Sequence, residues 1–362
     1  MRQFLTGSKG GRLRFLLLSL LCLGLAGCQV FSFYRQAVTG EYQILAHQEP
    51  VQKLIDDPHT PVKLRNKLEE VLRIRRFAAA ELKLPAERSY YKYVDLHRTY
   101  VVWNVNVAPV LSLEPKTWWF PIVGTASYRG YFEESGALRY AGKWPAKDWD
   151  VYVDGIETYS TLGWFHDPLL NTFLFEQESE LAEIIFHELG HQRLFVYGDT
   201  DFNEAFATTV AAEGIRRWFV AAHNPKAYQQ YQAGLAHQND FVQLVMDCRA
   251  ELTAVYDDTR LTDAAKLQRK REIIQQLRTK YAAAKKVWGV SGYDEWFAQP
   301  INNAKLNTVS AYYDLVPAFQ SMLRAQDGDM EKFYGAVKRM AKLPLAQRHE
   351  ALRQYLKPPK SN

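Results

Sequence analysis

The sequence has 362 residues, 23% charged and 14% aromatic, with 9 Trp, 21 Tyr and 19 Phe. That is ample material for a core, and it excludes a disordered or collagen-like chain. Of the formal net charge of +5, four units come from Arg2, Lys9, Arg12 and Arg14, and no acidic residue precedes Cys28. Without residues 1–27 the charge falls to +1, so no basic excess points to nucleic acid.

Those four cations form the n-region of an export signal, and Phe15 to Leu25 has the length of its apolar h-region. The stretch is shorter than the roughly 20 residues that span a bilayer. Leu25-Ala26-Gly27-Cys28 resembles the lipobox of bacterial lipoproteins. The resemblance implies a signal peptide over 1–27, a lipid on Cys28, a tether over 28–50 and a membrane partner reached through that lipid. Gln29 stands where Asp favours inner-membrane retention in enterobacterial lipoproteins, which implies the outer membrane, facing the periplasm. Cys248 then remains alone, so no disulfide framework exists; it reads as a buried small apolar residue.

Phe31 to Pro50 leads into the fold, with a helix beginning there. Thr60-Pro61 reads as a helix start, Thr as N-cap and Pro at the first helical position. Leu64, Leu68, Val71, Leu72, Arg75 and Leu82 follow at helical spacing up to Pro85. A β-rich part occupies about residues 90–165. Its strands are read at Tyr90 to Leu96, Thr99 to Val107, Trp118 to Val123 and Trp149 to Val153, with a short helix within Phe132 to Lys143. From about 176 to 356 the pattern is helical. Phe241, Leu244, Val245, Cys248, Leu252 and Val255 face Leu267, Ile274, Leu277 and Tyr281 across an antiparallel hairpin over about 225–288. Arg269-Lys270-Arg271 on it reads as a solvated face.

His187-Glu188-Leu189-Gly190-His191 is an H-E-x-x-H motif. On a helix, residues i and i+4 share a face, so both imidazoles can reach one ion at roughly 2 Å each. Glu188 beside them can take a proton from an attacking water. The metzincin extension is absent, because Leu194 and Tyr197 stand where Gly and His are needed. Glu204 and Glu213 compete for third ligand. Nine residues separate them, two and a half helical turns, so they face opposite ways and only one can see the metal. Asp201 as N-cap with Glu204 at N3 also fits a capping box.

Asn203-Glu204-Ala205-Phe206-Ala207, 12 residues after His191, resembles the third-ligand segment of gluzincins. The resemblance implies a zinc peptidase with Glu204 as third ligand. The spacer is shorter than in thermolysin-like or leucyl-aminopeptidase-like relatives and leaves a tight loop over Phe195 to Asp201, with Gly198-Asp199 at a sharp turn. Thr208 stands where some gluzincins place an Asp to orient a His; its hydroxyl is a weaker outer partner. The whole chain resembles the predicted zinc aminopeptidases found as lipoproteins in Gram-negative bacteria. The carrying segments are Tyr128 to Phe132, Tyr159 to Trp164, His187 to His191, Asn203 to Thr208, Asn302-Asn303-Ala304, and Tyr312-Tyr313-Asp314 with Pro317 and Phe319.

The expected architecture is α+β: a mainly helical, zincin-like metallopeptidase domain over 51–362, its β-rich part preceding the metal helix. Zn2+ is the implied cofactor, though two imidazoles and a carboxylate also accept cobalt or manganese. Peptides are the expected substrates. Tyr312 and Tyr313, followed by Tyr197, are candidate donors to the oxyanion. Thr161-Leu162-Gly163 is a candidate edge strand for the substrate backbone. Glu133, Glu134 and Asp167 are acidic candidates for binding a substrate amine, and the sequence does not choose among them. An aminopeptidase, an envelope endopeptidase in protein quality control and a non-catalytic metal-binding scaffold all remain open. Glu188 argues against the scaffold, since structural zinc requires no base.

Overall fold

The computed structural model describes residue 33 and residues 35–87, 89–120, 124–158, 167–309 and 315–356. The chain divides into two units, Met1–His47 and Gln48–Asn362. In the first, residues 35–46 are helical. The second is a mixed α+β unit, mostly helical. Among the described residues no helix is long and apolar enough to cross a membrane.

Helix α1 (Val51–Asp56) leads to α2 (Val62–Leu82), which buries Leu68, Val71, Ile74, Arg75, Ala78 and Leu82. That is one apolar stripe at helical spacing. Thr60 does not cap α2. Pro61 takes an extended ψ of 134° and itself occupies the cap, so the helix begins one residue later than the sequence suggests. Lys83, left-handed at φ 56°, closes the other end.

Three small sheets follow. Strands β1 (Glu49–Pro50), β2 (Lys92–Val94) and β8 (Leu169–Leu170) form one sheet, with β2 and β8 parallel. Strand β3 (Val102–Pro109) lies between β6 (Tyr128–Tyr131) and β7 (Trp149–Ile156), antiparallel to both. Strands β4 (Trp118–Phe120) and β5 (Gly124–Ala126) pair as a ribbon. Helix α3 (Glu134–Ala141) fills the gap between β6 and β7.

The helical part opens with α4 (Asn171–Leu174), α5 (Glu178–Arg193) and α6 (Thr200–Ala221). The long hairpin is α7 (Pro225–Asp257) and α8 (Asp263–Trp288). Its punctuation is local: Asn224 and Thr262 cap the two helices through their side chains, and Gly289 ends α8 at φ 69°. Phe241, Val245, Cys248 and Leu252 pack there with Ile273, Leu277 and Tyr281. Cys248 is buried and unpaired, and burial pushes its thiol up to about 12. Helices α9 (Asp294–Ala298), α10 (Asn303–Thr308), α11 (Val316–Arg324), α12 (Met330–Met340) and α13 (Leu345–Arg353) complete the unit. Phe319, Phe333 and Tyr334 of these last helices pack around Phe206 of α6.

The solvated reading of Arg269-Lys270-Arg271 fails at its middle residue. Arg269 and Arg271 are exposed, but Lys270 turns inward, donating to Val110 O at 2.9 Å and pairing with Asp150. Asp150 Oδ2 also accepts the Asn303 N–H at 2.8 Å. The Asn303 side chain is fully buried and saturated. It donates to the carbonyls of Pro109, Val110 and Ser112 at 2.9–3.1 Å and accepts from Tyr256 Oη at 2.9 Å. This residue therefore ties the end of β3 to the hairpin. Asn303→Ala removes the partner of the buried Tyr256 hydroxyl and of the Ser112 carbonyl, while Val110 O keeps Lys270 and Pro109 O keeps the Ser112 N–H. It should lower unfolding stability by about 3 kcal/mol, since each orphaned buried group costs roughly 1–3 kcal/mol; urea unfolding measures this.

Candidate metal centre

The sequence of α5 divides its two faces. Leu181, Ile185, Phe186 and Leu189 are buried against neighbouring helices, while Glu183, Ile184, His187 and Glu188 line a cavity. Glu178 and Glu180 occupy the first turn, where negative charge suits the helix N-terminus. The link to α6 is only Leu194 to Asp199. Gly198 turns it at φ 77°. Asn203 clamps it, accepting from the Val196 N–H and donating to the Val196 carbonyl, both at 2.8 Å. Asp199, and not Asp201, caps α6, accepting from the Phe202 N–H at 3.3 Å. Glu204 is thus past the N3 position and free of the capping box that the sequence allowed.

The two helices bring His187, His191 and Glu204 together, one ligand atom from each lying within 4.8 Å of the others. His187 Nε2 lies 3.1 Å from His191 Nε2 and 3.2 Å from Glu204 Oε2, and His191 Nε2 lies 3.5 Å from Glu204 Oε1. Donors held at about 2.1 Å around a tetrahedral ion are roughly 3.4 Å apart. The spacing therefore fits a zinc-sized cation. Gly190 makes the approach feasible: a Cβ there would stand 3.3 Å from the Ala207 Cα.

Electrostatics at the triad are strong. Burial works against charge on Glu204, but hydrogen bonds with His187 and His191 hold its carboxyl far below the usual range. Burial also works against the His187 cation. Contact with Glu204 and the charges of Glu188, Glu204 and Glu183 outweigh it and raise that imidazole. Glu213 faces away and pairs with Arg216 and Arg217 at 2.7–2.8 Å. Thr208 makes no hydrogen bond to either imidazole among the described residues, and His191 Nδ1 is buried without a partner.

The cavity beside His187 and Glu188 has a volume of about 400 Å³. Glu157, Glu176, Glu180 and Glu183 line it. Contact with Glu180, burial, and the charges of Glu180 and Glu157 push Glu176 up to about 7. Burial, then the charges of Glu180 and Glu295, raise Glu157. Tyr231 Oη of α7 donates to Glu183 at 3.0 Å, but burial still dominates and raises that carboxyl.

These four carboxylates escaped the sequence reading because they come from the end of β7, the approach to α5 and its outer face, with no shared motif. The acidic candidates it named lie elsewhere: Glu133 and Glu134 are exposed, and Asp167 is buried with Gln192 Nε2 3.2 Å from it. Tyr90 was missed as well. It is buried at a left-handed φ of 61°, and its hydroxyl is raised by burial and then by the charges of Glu188 and Asp167. Tyr197 is exposed. Cys28, Thr161, Leu162, Gly163, Tyr312 and Tyr313 lie outside the described residues.

Fold and site together define a mixed α+β protein whose two packed helices bring together three side chains that could hold a metal ion, beside an acidic cavity. The chain belongs to the family described as "Putative aminopeptidase", whose model matches residues 32–352. Neither the curated proteins nor the solved structures contain a match.

The geometry separates the two competing glutamates by experiment. Glu204→Gln should weaken binding of one zinc equivalent at least about tenfold, as loss of a charged ligand requires. Glu213→Gln should leave metal stoichiometry and affinity unchanged. Titration against a chromophoric chelator reads both.

Proposed function

We propose that the chain is a zinc-dependent aminopeptidase of zincin-like fold, anchored by lipid on Cys28 to the outer membrane and facing the periplasm. The convergence of His187, His191 and Glu204 beside Glu188 carries this reading, because a hydrolytic centre needs a metal site and a base on one face. Family membership supplies the substrate class. Zinc, when bound, polarises a carbonyl and acidifies water. Glu188 takes a proton from the attacking water and delivers it to the leaving nitrogen as the amide bond breaks.

The acidic cavity favours trimming over internal cleavage. An α-ammonium group is the part of a peptide that an endopeptidase has no reason to bind. Glu157, Glu176, Glu180 and Glu183 offer it carboxylates next to His187. A blocked amino terminus loses that attraction and brings added bulk.

Zinc-loaded protein should remove single residues from peptides with a free amino terminus and leave acetylated copies intact. Glu188→Gln should keep its metal and lose at least about a hundredfold in rate, within the range for a general base. Mass spectrometry of the products with metal analysis reads both. Internal cuts in acetylated peptides would replace the reading with an endopeptidase, and joint loss of metal and activity in Glu188→Gln would make Glu188 structural.

The anchor is tested separately. Cys28→Ser should move the protein from the membrane to the soluble fraction, and intact-mass analysis of the wild type should show a lipidated Cys28 as the first residue. An unmodified amino terminus at Met1 would remove the envelope assignment.

A further inference from the structure

A second cavity, of about 440 Å³, shares no lining residue with the acidic one but reaches the triad through Glu204. Its volume is in the range that buries a small ligand. Pro115, Phe195 and Tyr128 give it apolar walls, and Asn106 and Val107 of β3 form part of its floor. Its acidic groups are Glu204, already engaged with two imidazoles, and Asp201 at the exposed rim.

Arg249 of α7 is the cation among its described lining residues. Nη1 donates to Leu306 O at 3.1 Å and to Asn307 Oδ1, and Asn307 is fixed in turn by its bond to Leu113 O at 2.9 Å. The guanidinium is therefore held from one side. Among the described residues Nε and Nη2 make no hydrogen bond and no carboxylate is within ion-pair distance. Those two groups form one straight edge of the guanidinium, the edge that receives a carboxylate through two parallel bonds. Burial pushes the group below its ordinary value.

We propose that this cavity holds the leaving side of the peptide and that Arg249 there binds a carboxylate, either the C-terminus of a short peptide or an Asp or Glu side chain just past the scissile bond. The inference rests on the reading of the triad as a peptide-hydrolysing centre. The order of charges supports it: carboxylates on the His187 side, the triad between, a guanidinium on the Glu204 side. A short peptide with both ends free matches that order in one direction only, with its amine among the glutamates and its carboxylate on Arg249. That direction places the first peptide bond, and not a later one, nearest the triad.

The test compares three tripeptides on full-length, zinc-loaded protein: a free acid, its C-terminal amide, and an amide carrying Asp at the last position. The wild type should cut the free acid at least about tenfold faster than the plain amide, the scale of a lost hydrogen bond to charge. Arg249→Gln should erase that preference, bringing the ratio of the free-acid rate to the plain-amide rate to about one, and Arg249→Lys should recover part of it. Faster cleavage of the Asp amide assigns the side-chain source; preference for the free acid alone assigns the C-terminus. Calorimetry on Glu188→Gln should show the same preference in binding without turnover. Equal handling of acid and amides by the wild type would overturn the proposal, as would an equal loss on all three substrates in Arg249→Gln, which is what mere bracing of α10 predicts. Failure to cut any peptide would instead remove the peptidase reading beneath it.

Discussion

The packing of α5 on α6 at Gly190 governs the site. There α5 presents no side chain, and a would-be Cβ would stand 3.3 Å from the Ala207 Cα. His191 is the next residue on one helix, and Glu204 lies three residues before Ala207 on the other, on the same face. The helix separation at this point therefore sets the separation of imidazole and carboxylate. The contact is repeated further along, where the Phe186 ring fills the space of an absent side chain at Gly214. Phe77 of α2 backs Phe186 from outside, ring centroids 6.0 Å apart. Packing thus brings His187, His191 and Glu204 together.

What holds the packing in register is the short link between the helices. Six residues cannot join antiparallel helices without unmet backbone groups unless side chains intervene. Asn203 satisfies both polar groups of Val196, and Asp199 caps α6. Asp199 is in turn held from the far end of the chain, by Arg348 at 3.1 Å and His349 at 2.9 Å. Asn203, which precedes Glu204, is thus a loop clamp, and α13 reaches this loop through Asp199.

The legible parts of the sequence were those governed by local rules. The H-E-x-x-H spacing, the opposed faces of Glu204 and Glu213, the turn at Gly198 and the long helical hairpin all follow from helical periodicity or turn chemistry. The parts that escaped depend on distant partners. Lys270 looks solvated beside two exposed arginines until Asp150, 120 residues away, turns it inward. Asn302-Asn303-Ala304 carries a family resemblance with no visible reason, and the reason is the saturation of the Asn303 side chain by four partners remote in sequence. Strand β6 was not read as a strand, because Arg129-Gly130 interrupts the alternation that marks one. Thr208 was assigned from its place in a motif, and among the described residues it bonds neither imidazole, while His191 Nδ1 is buried without a partner.

The hairpin is remote from the triad in sequence, yet α7 bonds a residue that lines the acidic cavity and itself lines the other. Tyr231 near its start bonds Glu183 in the acidic one, and Arg249 near its end lines the other. One helix carries both residues, so a shift of α7 would disturb the two charged walls together. Two attachments oppose such a shift. Lys270 of the partner helix reaches Val110 and Asp150 in the β-rich part, and Tyr256 of α7 itself bonds Asn303. The buried polar knot around Asn303 therefore fixes more than the end of β3. It braces α7, the helix that reaches both Glu183 and the wall at Arg249, against the β-rich part.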